Sequence, residues 1–559
     1  MSNLLSQASL VMIPSGYKED VVYSPIPTNG NGDLSFTRAS NGTRINSAGL
    51  VEVCPWNFVE QSETIGTSPW SNINSGITSN ATTAPNGTTT AEKLMVTTAN
   101  TPHQVQQGFN NDNANHTVFI YAKKSELNFI QLALGNSTEQ YANFNLNTGV
   151  VGTKGSYCAS SSMESVGDGW YKCIAYFNQG TIPSLMIYVT NSASSDWGGV
   201  VSYSGANNTD GIFVWGYQLN IGSTAKPYFP TTDRLNVPRL TYQNGGGGCP
   251  SLLLEKQSTN LVTYSEQFDN ADWTKQSGVS VTANQTISPD GTQNADLVVG
   301  GGSSGIFQSG KTVSTTVANT KSVYLKGVSG GEVVRLQDPN QTLGYTVCTL
   351  TTSWQRFTLS EVQSGGVAGL WVTLIPSGGI YIWGAQLEAS SYPTSYIPTT
   401  SASATRVGDA CYKTGISSLI GQTSGVLFAD FKVDNANPGA RIISVSDGTF
   451  ANRIVLLQDG SAIRVFVATA SVGQVDISFG TWLGRHKIAV AYANNDLVVF
   501  LDGVLAATDT SISVPACSDA QVGTREDNTD ATPLQGTINQ AILFKTRLTN
   551  AELASLTTL

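Results

Sequence analysis

Short runs of alternating apolar and polar residues recur along the whole chain, with Gly, Pro, Asn and Asp between them. Period-two alternation places one face of a strand in a core and the other in water. Between residues 56 and 232 the runs are TVFIYAKK (117–124), NFIQLALG (128–135), YANFNL (141–146), WYKCIAYF (170–177) and SLMIYVT (184–190). Between 259 and 400 they are SVYLKG, VVRLQD, YTVCTL, WQRFTL, LWVTLI and YIWGAQL. From about 412 they are GVLFADFKV, ARIISVSDG, NRIVLLQDG, AIRVFVAT, RHKIAVAYA, DLVVFLDGVLAATD and GTINQAILFKTRL. Many short strands with regular turn signals predict antiparallel sandwiches. Asp502–Gly503 between alternating apolar residues is a hairpin signal. One short helix is expected at 548–556, with Thr549 or Asn550 as its N-cap.

The runs are organised as a repeat. IFVWGYQLNIGSTAKPYFPTT (212–232) returns as IYIWGAQLEASSYPTSYIPTT (380–400). Upstream, Trp70 and Trp273 each precede a strand, a Pro-Asn-Gly or Pro-Asp-Gly turn (Pro85–Gly87, Pro289–Gly291) and a second strand. Self-similarity of this kind predicts two units of one fold. The first copy is longer, and its extra residues are expected in loops. A connector also repeats: Arg38 and Arg44 before Cys54–Pro55, Arg234 and Arg239 before Cys249–Pro250, and a truncated copy with Arg406 and Cys411. These arginines are expected to pin neighbouring domains, since Arg offers five donors in a rigid fork.

The expected fold class is all-β: tandem antiparallel jelly-roll sandwiches behind an irregular N-terminal anchoring segment. The expected divisions are 1–55 (anchoring segment and first connector), 56–232 (first jelly roll), 233–258 (connector), 259–405 (second jelly roll) and 406–559 (third). Pro25 and Pro27 argue against a central strand near the N-terminus. Leu10, Val11, Met12, Ile13 and Tyr17 are read as an arm that docks on a partner, because such a cluster is costly to leave in water.

Charged residues are 12% of the 559, against about 25% in ordinary globular chains. With 56 glycines and a 40% hydrophobic share, this suits turn-rich sandwiches with polar, uncharged surfaces. The net charge of −10 and the lack of a basic stripe argue against nucleic-acid binding. No apolar run reaches the roughly 18 residues of a membrane span, and the first residues do not read as a secretory signal. The seven cysteines are widely spaced, without metal-type pairs, and suggest a reducing compartment during folding. The one disulfide considered is Cys158 with Cys173, across a hairpin.

Several stretches resemble known families. RHKIAVAYANNDLVVFLDGVLAATD, the QVGT turn and LQGTINQAILFKTRLTNAEL resemble the laminin-G-like, concanavalin-type jelly roll. The TNLVTYSEQFDNADWTK opening with the WGAQLE…YIPTT closing resembles the carbohydrate-binding-module-like jelly rolls of phage fibre and virion proteins. LSFTRASNGTRINSAGLVEV resembles the leader of such proteins, including those of crAss-like phages. Together the resemblances cover nearly the whole chain. They imply a virion appendage, a head or tail fibre assembled in the bacterial host cytoplasm and homotrimeric as such fibres commonly are. Its partners would be other virion proteins and a host surface glycan. The same modules occur in adhesins, so a glycan-binding tail adhesin is the alternative reading, with a polysaccharide-degrading enzyme behind it.

Catalytic chemistry is not expected. Glycosidases need two carboxylates about 5 to 10 Å apart, and the Glu-x-Asp-x-x-Glu string of concanavalin-type glucanases is absent. The acidic stretch Arg525 to Asp530 reads as a solvated loop, and His103, His116 and His486 are far apart in sequence. No cofactor is expected. For calcium, Asp430, Asp434, Asp447 and Asp459 are available in the third sandwich, without a contiguous ligand motif. For a glycan, Trp215 and Trp383 read as packing residues, whereas Trp197, in the polar loop SSDWGGV, is the candidate exposed platform.

Overall fold

The structure, a computed structural model, describes residues 2–559 except 109–114, 136–137, 179–183, 198–207, 244, 341–343, 436–438, 461, 482 and 530–534. It is all-β and antiparallel, with helix Asn550–Thr557 near the C-terminus. The chain forms two compact units: Pro55–Arg234, and Met1–Cys54 together with Leu235–Leu559.

Pro55–Arg234 is a sandwich of two six-stranded sheets. Strand Trp170–Phe177 shows the cause: Trp170, Cys173, Ala175 and Phe177 are buried, and the residues between them are less so. Ile130, Leu132, Phe144, Ile187, Val118 and Leu219 fill the space between the sheets. Cys158 and Cys173 lie on paired strands but do not face each other: Cys158 is opposite Phe177, and Cys173 opposite Met163. All seven cysteines are free.

The second copy of the repeat is a sandwich of two five-stranded sheets. The extra residues of the first copy are not confined to loops. Strands Val150–Lys154 and Cys158–Gly167 add one strand to the edge of each sheet. Both copies carry the same bulge. Gly216 (φ +65°) and Gly384 (φ +62°) lie opposite a register shift, at Phe119/Tyr121 and at Ser322/Tyr324. The left-handed backbone there is available to glycine at little cost.

The last sandwich pairs an eight-stranded with a nine-stranded sheet, and it draws on residues from far upstream. The expected anchoring segment and connector are part of it. Leu10–Met12 pairs with Gly536–Phe544, Leu10 standing opposite Leu543. Leu34–Thr37 pairs with Ala410–Lys413, and Ser251–Leu254 with Gly536–Phe544. Leu10 and Met12 enter the core between the sheets, while Val11 packs with Phe544, Leu553 and Leu556 on the other face. A strand covered on both faces reads as an unbroken apolar run rather than an alternation. The cluster Leu10 to Ile13 therefore belongs to this chain's own interior: Leu10 and Val11 are 2% exposed and Met12 0%.

Helix Asn550–Thr557 begins with a full capping box. The Thr549 side chain accepts from the Glu552 backbone N–H, and Glu552 returns the bond to the Thr549 backbone.

Candidate functional site

The connector arginines meet. Arg38, Arg239 and Arg406 are each 1% exposed or less and share two carboxylates, Glu255 and Asp409. Arg38 Nη1 donates to Asp409 Oδ1 at 2.9 Å, and Arg239 Nη2 donates to Asp409 Oδ2. Arg239 Nη1 donates to Glu255 Oε2 at 2.7 Å, and Arg406 Nη1 to the same oxygen at 2.5 Å. Ser395 Oγ accepts from Arg239 and Arg406 and donates to Glu255 at 2.6 Å. The third positive charge is met by carbonyls: Arg38 donates to Val237 O and Ser40 O, and Arg406 to Lys256 O. Burial pushes the Glu255 carboxyl up, but Arg406, Arg239 and the Ser395 hydroxyl outweigh it and hold Glu255 at about 2.

Arg44 and Arg234 do different work. Arg44 pairs with Glu52 at 2.9 Å and donates to the Tyr17 hydroxyl, so Tyr17 is engaged within the chain. Burial, ahead of nearby charges, pushes the Tyr17 phenol well above its usual range. Arg234 donates to Asn57 O at 2.8 Å and lies over the Phe58 ring.

Trp197 is half-buried rather than displayed. It packs edge-on to Tyr188, with Ala133, Tyr141 and Met186 beneath. The loop leading to it is strapped to the sheet: Gln131 donates to Asp196 O, and Asn143 to Ser195 O. Gly198 to Val200 of the same loop lie outside the described residues. Trp215 and Trp383 are 6% and 1% exposed, each packed with a tyrosine of the following loop, Tyr228 or Tyr396.

The four aspartates considered for calcium stand with other partners. Asp430 pairs with Arg485, Asp434 with Lys432 and Asp459 with Arg464, while Asp447 caps its own loop through Thr449 and Asn452. Among the described residues no group of three or more His, Cys, Asp or Glu is placed to hold a metal. His486 Nδ1 is 2.7 Å from Asp502.

The acidic stretch after 525 departs from expectation. Glu526 is 0% exposed and takes both Nε and Nη2 of Arg441, at 3.2 and 3.1 Å. Asp530 lies outside the described residues. Arg441 opens onto a feature that sequence reading missed, a cleft of about 230 Å³ on the outer face of the nine-stranded sheet. Its floor comes from three strands in register: Val455 stands opposite Phe466, and Leu457 opposite both Arg441 and Arg464. Arg453 lies 5.0 Å from the ring centres of both Phe450 and Phe466. Arg464 is held by Asp459 and Asp476, at 3.2 and 2.5 Å. Arg453 has no ion-pair or hydrogen-bond partner for its side chain among the described residues, and its Nε is shielded from water. Burial lowers the Arg453 guanidinium from its usual value, against the attraction of Glu526. The available signal was an Arg at an outward position of three consecutive strands, in ARIIS, NRIVL and AIRVF.

No protein-family model matches the sequence, and no curated protein matches it. Partial likeness to solved structures is illustrated by three of them. The CBM40 of the Ruminococcus gnavus IT-sialidase, bound to alpha2,3 sialyllactose, aligns over 26% of this chain and 91% of its own, at 15% identity and a TM-score of 0.23. Domain 4 of AbnA, a GH43 extracellular arabinanase from Geobacillus stearothermophilus, in complex with arabinotriose, aligns over 30% and 84%, at 15% identity and 0.23. The NanB sialidase from Streptococcus pneumoniae aligns over 26% of this chain and 25% of its own, at 14% identity and 0.23. At such scores these likenesses carry no argument about what this chain binds.

Proposed function

We propose that this protein is a non-catalytic structural and binding protein: a set of antiparallel sandwiches that projects from a bacteriophage particle as a head or tail fibre. The observation that carries the scaffold reading is the buried charge cluster. Arg38 and Asp409 are 371 residues apart in sequence, yet three connectors converge on one solvent-shielded junction. Such a junction opens only at the cost of orphaned buried charges, which suits a part that must hold its shape. The virion setting and a trimeric assembly rest on the resemblance of the repeat's opening and closing motifs to phage fibre modules. Attachment would use a surface other than Leu10 to Met12, which are core.

The test is cryo-electron microscopy of intact particles with antibody against residues 412–559. Labelled density on the capsid or the tail supports the proposal and separates head from tail fibre. Absence of the protein from every particle overturns it.

A second reading, a glycan-binding adhesin, is favoured by the arginine-lined cleft of the last sandwich. The two are compatible, since an appendage can also bind its host. A glycan array probed with the full chain, with and without calcium, tests this reading. Binding to no glycan in either condition overturns it.

A further inference from the structure

The cleft on the outer face of the nine-stranded sheet has a specific chemistry. Its lining combines the apolar side chains of Val455, Leu457 and Phe466 with the guanidinium groups of Arg441, Arg453 and Arg464 and the carboxylate of Asp459. Arg441 is engaged at all three nitrogens: Nε and Nη2 bind Glu526, and Nη1 donates to Gly439 O at 2.5 Å. Arg464 is likewise claimed by Asp476 and Asp459. Arg453 differs. Its guanidinium carbon lies 5.0 Å from the centres of both the Phe450 and Phe466 rings, which offer no acceptor. A guanidinium held beside two aromatic rings, with its donors unspent, suits a planar, two-oxygen acceptor. Phosphate and sulfate would also pair with Arg, but they would make no use of the apolar side chains of Val455, Leu457 and Phe466. At about 230 Å³ the space falls below the roughly 300 Å³ where pockets for drug-sized ligands begin, so it fits a single ring.

We propose that this cleft binds the carboxylate of an acidic sugar residue. Arg453 pairs with the carboxylate, Phe466 and Leu457 meet the apolar face of the ring, and Asp459 accepts from its hydroxyls. The inference rests on the reading of the last sandwich as a glycan-binding module. It adds the ligand class and the anchoring residue. The carboxylates around Arg464 also set selectivity: they repel a polyanion and admit a ligand with one charge and several hydroxyls.

The experiment is titration of the full chain with sodium glucuronate and, separately, N-acetylneuraminate, followed by calorimetry or saturation-transfer NMR. Glucose is the neutral control and sodium sulfate the bare-anion competitor. Binding of either acid but not of glucose is expected, weakened about tenfold or more by Arg453→Gln. Arg453→Lys is expected to lose most of it too, because an ammonium cannot form the two-point contact. Unchanged circular dichroism and melting of both variants would show that they fold; if R453Q unfolds, R453K carries the test. Glucose binding as well as glucuronate, or sulfate displacing the sugar at equal concentration, overturns the proposal. So does a glycan that R453Q binds undiminished, although that result would leave the adhesin reading intact and move the site elsewhere.

Discussion

Asp409→Asn removes one charge from the connector cluster and almost no volume. Asp409 takes Arg38 Nη1 at 2.9 Å through one oxygen, and Arg239 Nη2 with the Glu255 backbone N–H through the other. Glu255 still reaches Arg239 and Arg406. Arg38 has Asp409 as its ion-pair partner and is left buried with carbonyls alone. Breaking a buried pair on one side costs about 3 to 5 kcal/mol. At about 1.4 kcal/mol per decade that is a rise of roughly 100- to 4,000-fold in the opening constant of the junction. Hydrogen exchange read by mass spectrometry resolves this locally, on peptides covering residues 251–258 and 404–412. Peptides of the Pro55–Arg234 unit serve as the internal reference. The double variant Arg38→Met with Asp409→Asn should recover part of the loss, since it removes the orphaned cation as well. A change in exchange below about tenfold in the single variant would show that the cluster is solvated or slack, and the reasoning would fail.

Asn260→Ala should cost at least about 3 kcal/mol, because its side chain serves four buried backbone groups: Ala385 O, Ile397 O, Val262 N and Leu387 N. Asn57→Ala in the other copy removes the matching bonds to Tyr217 O, Phe229 O, Val59 N and Leu219 N and should cost as much, both read by denaturant melts. Gly384→Ala should destabilise by about 1 to 3 kcal/mol, since an L residue at φ +62° is strained and its Cβ would sit 3.0 Å from Tyr324. Acid should weaken the fold through Glu255: its folded value of about 2 lies below the ordinary 4.5, so its contribution is full above that ordinary value and is lost as pH falls toward 2. Glu255→Gln should be less stable at neutral pH and show a flatter melting profile between about pH 5 and 2; an unchanged profile counts against the ion pairing.

Much of the architecture was readable from residue order because a strand's period is two and its turns have chemical signatures. SLMIYVT and AIRVFVAT are strands over the residues the alternation marks, and Thr549 caps the helix. The doubled WG-x-QL motif encodes a real local device. Its Gln218 and Gln386 each accept from the backbone of the following aromatic loop, at Phe229 N and Ile397 N. These features depend on neighbours within a few dozen residues, so the sequence alone determines them. Long-range assembly was hidden. Leu10 to Ile13 read as an unsatisfied apolar patch because the strand that covers it, Gly536–Phe544, lies more than five hundred residues downstream. The connector arginines announced a structural role but not their shared acceptors, since Asp409 reaches Arg38 only across the folded unit. The same holds for the cleft. Arg441, Arg453 and Arg464 are ordinary outward positions in separate strands, and only the sheet's register sets them around Phe466. Local periodicity fixes what each segment becomes. Which segments bury each other's charges, and which guanidinium is left without an acceptor, is decided by packing in three dimensions.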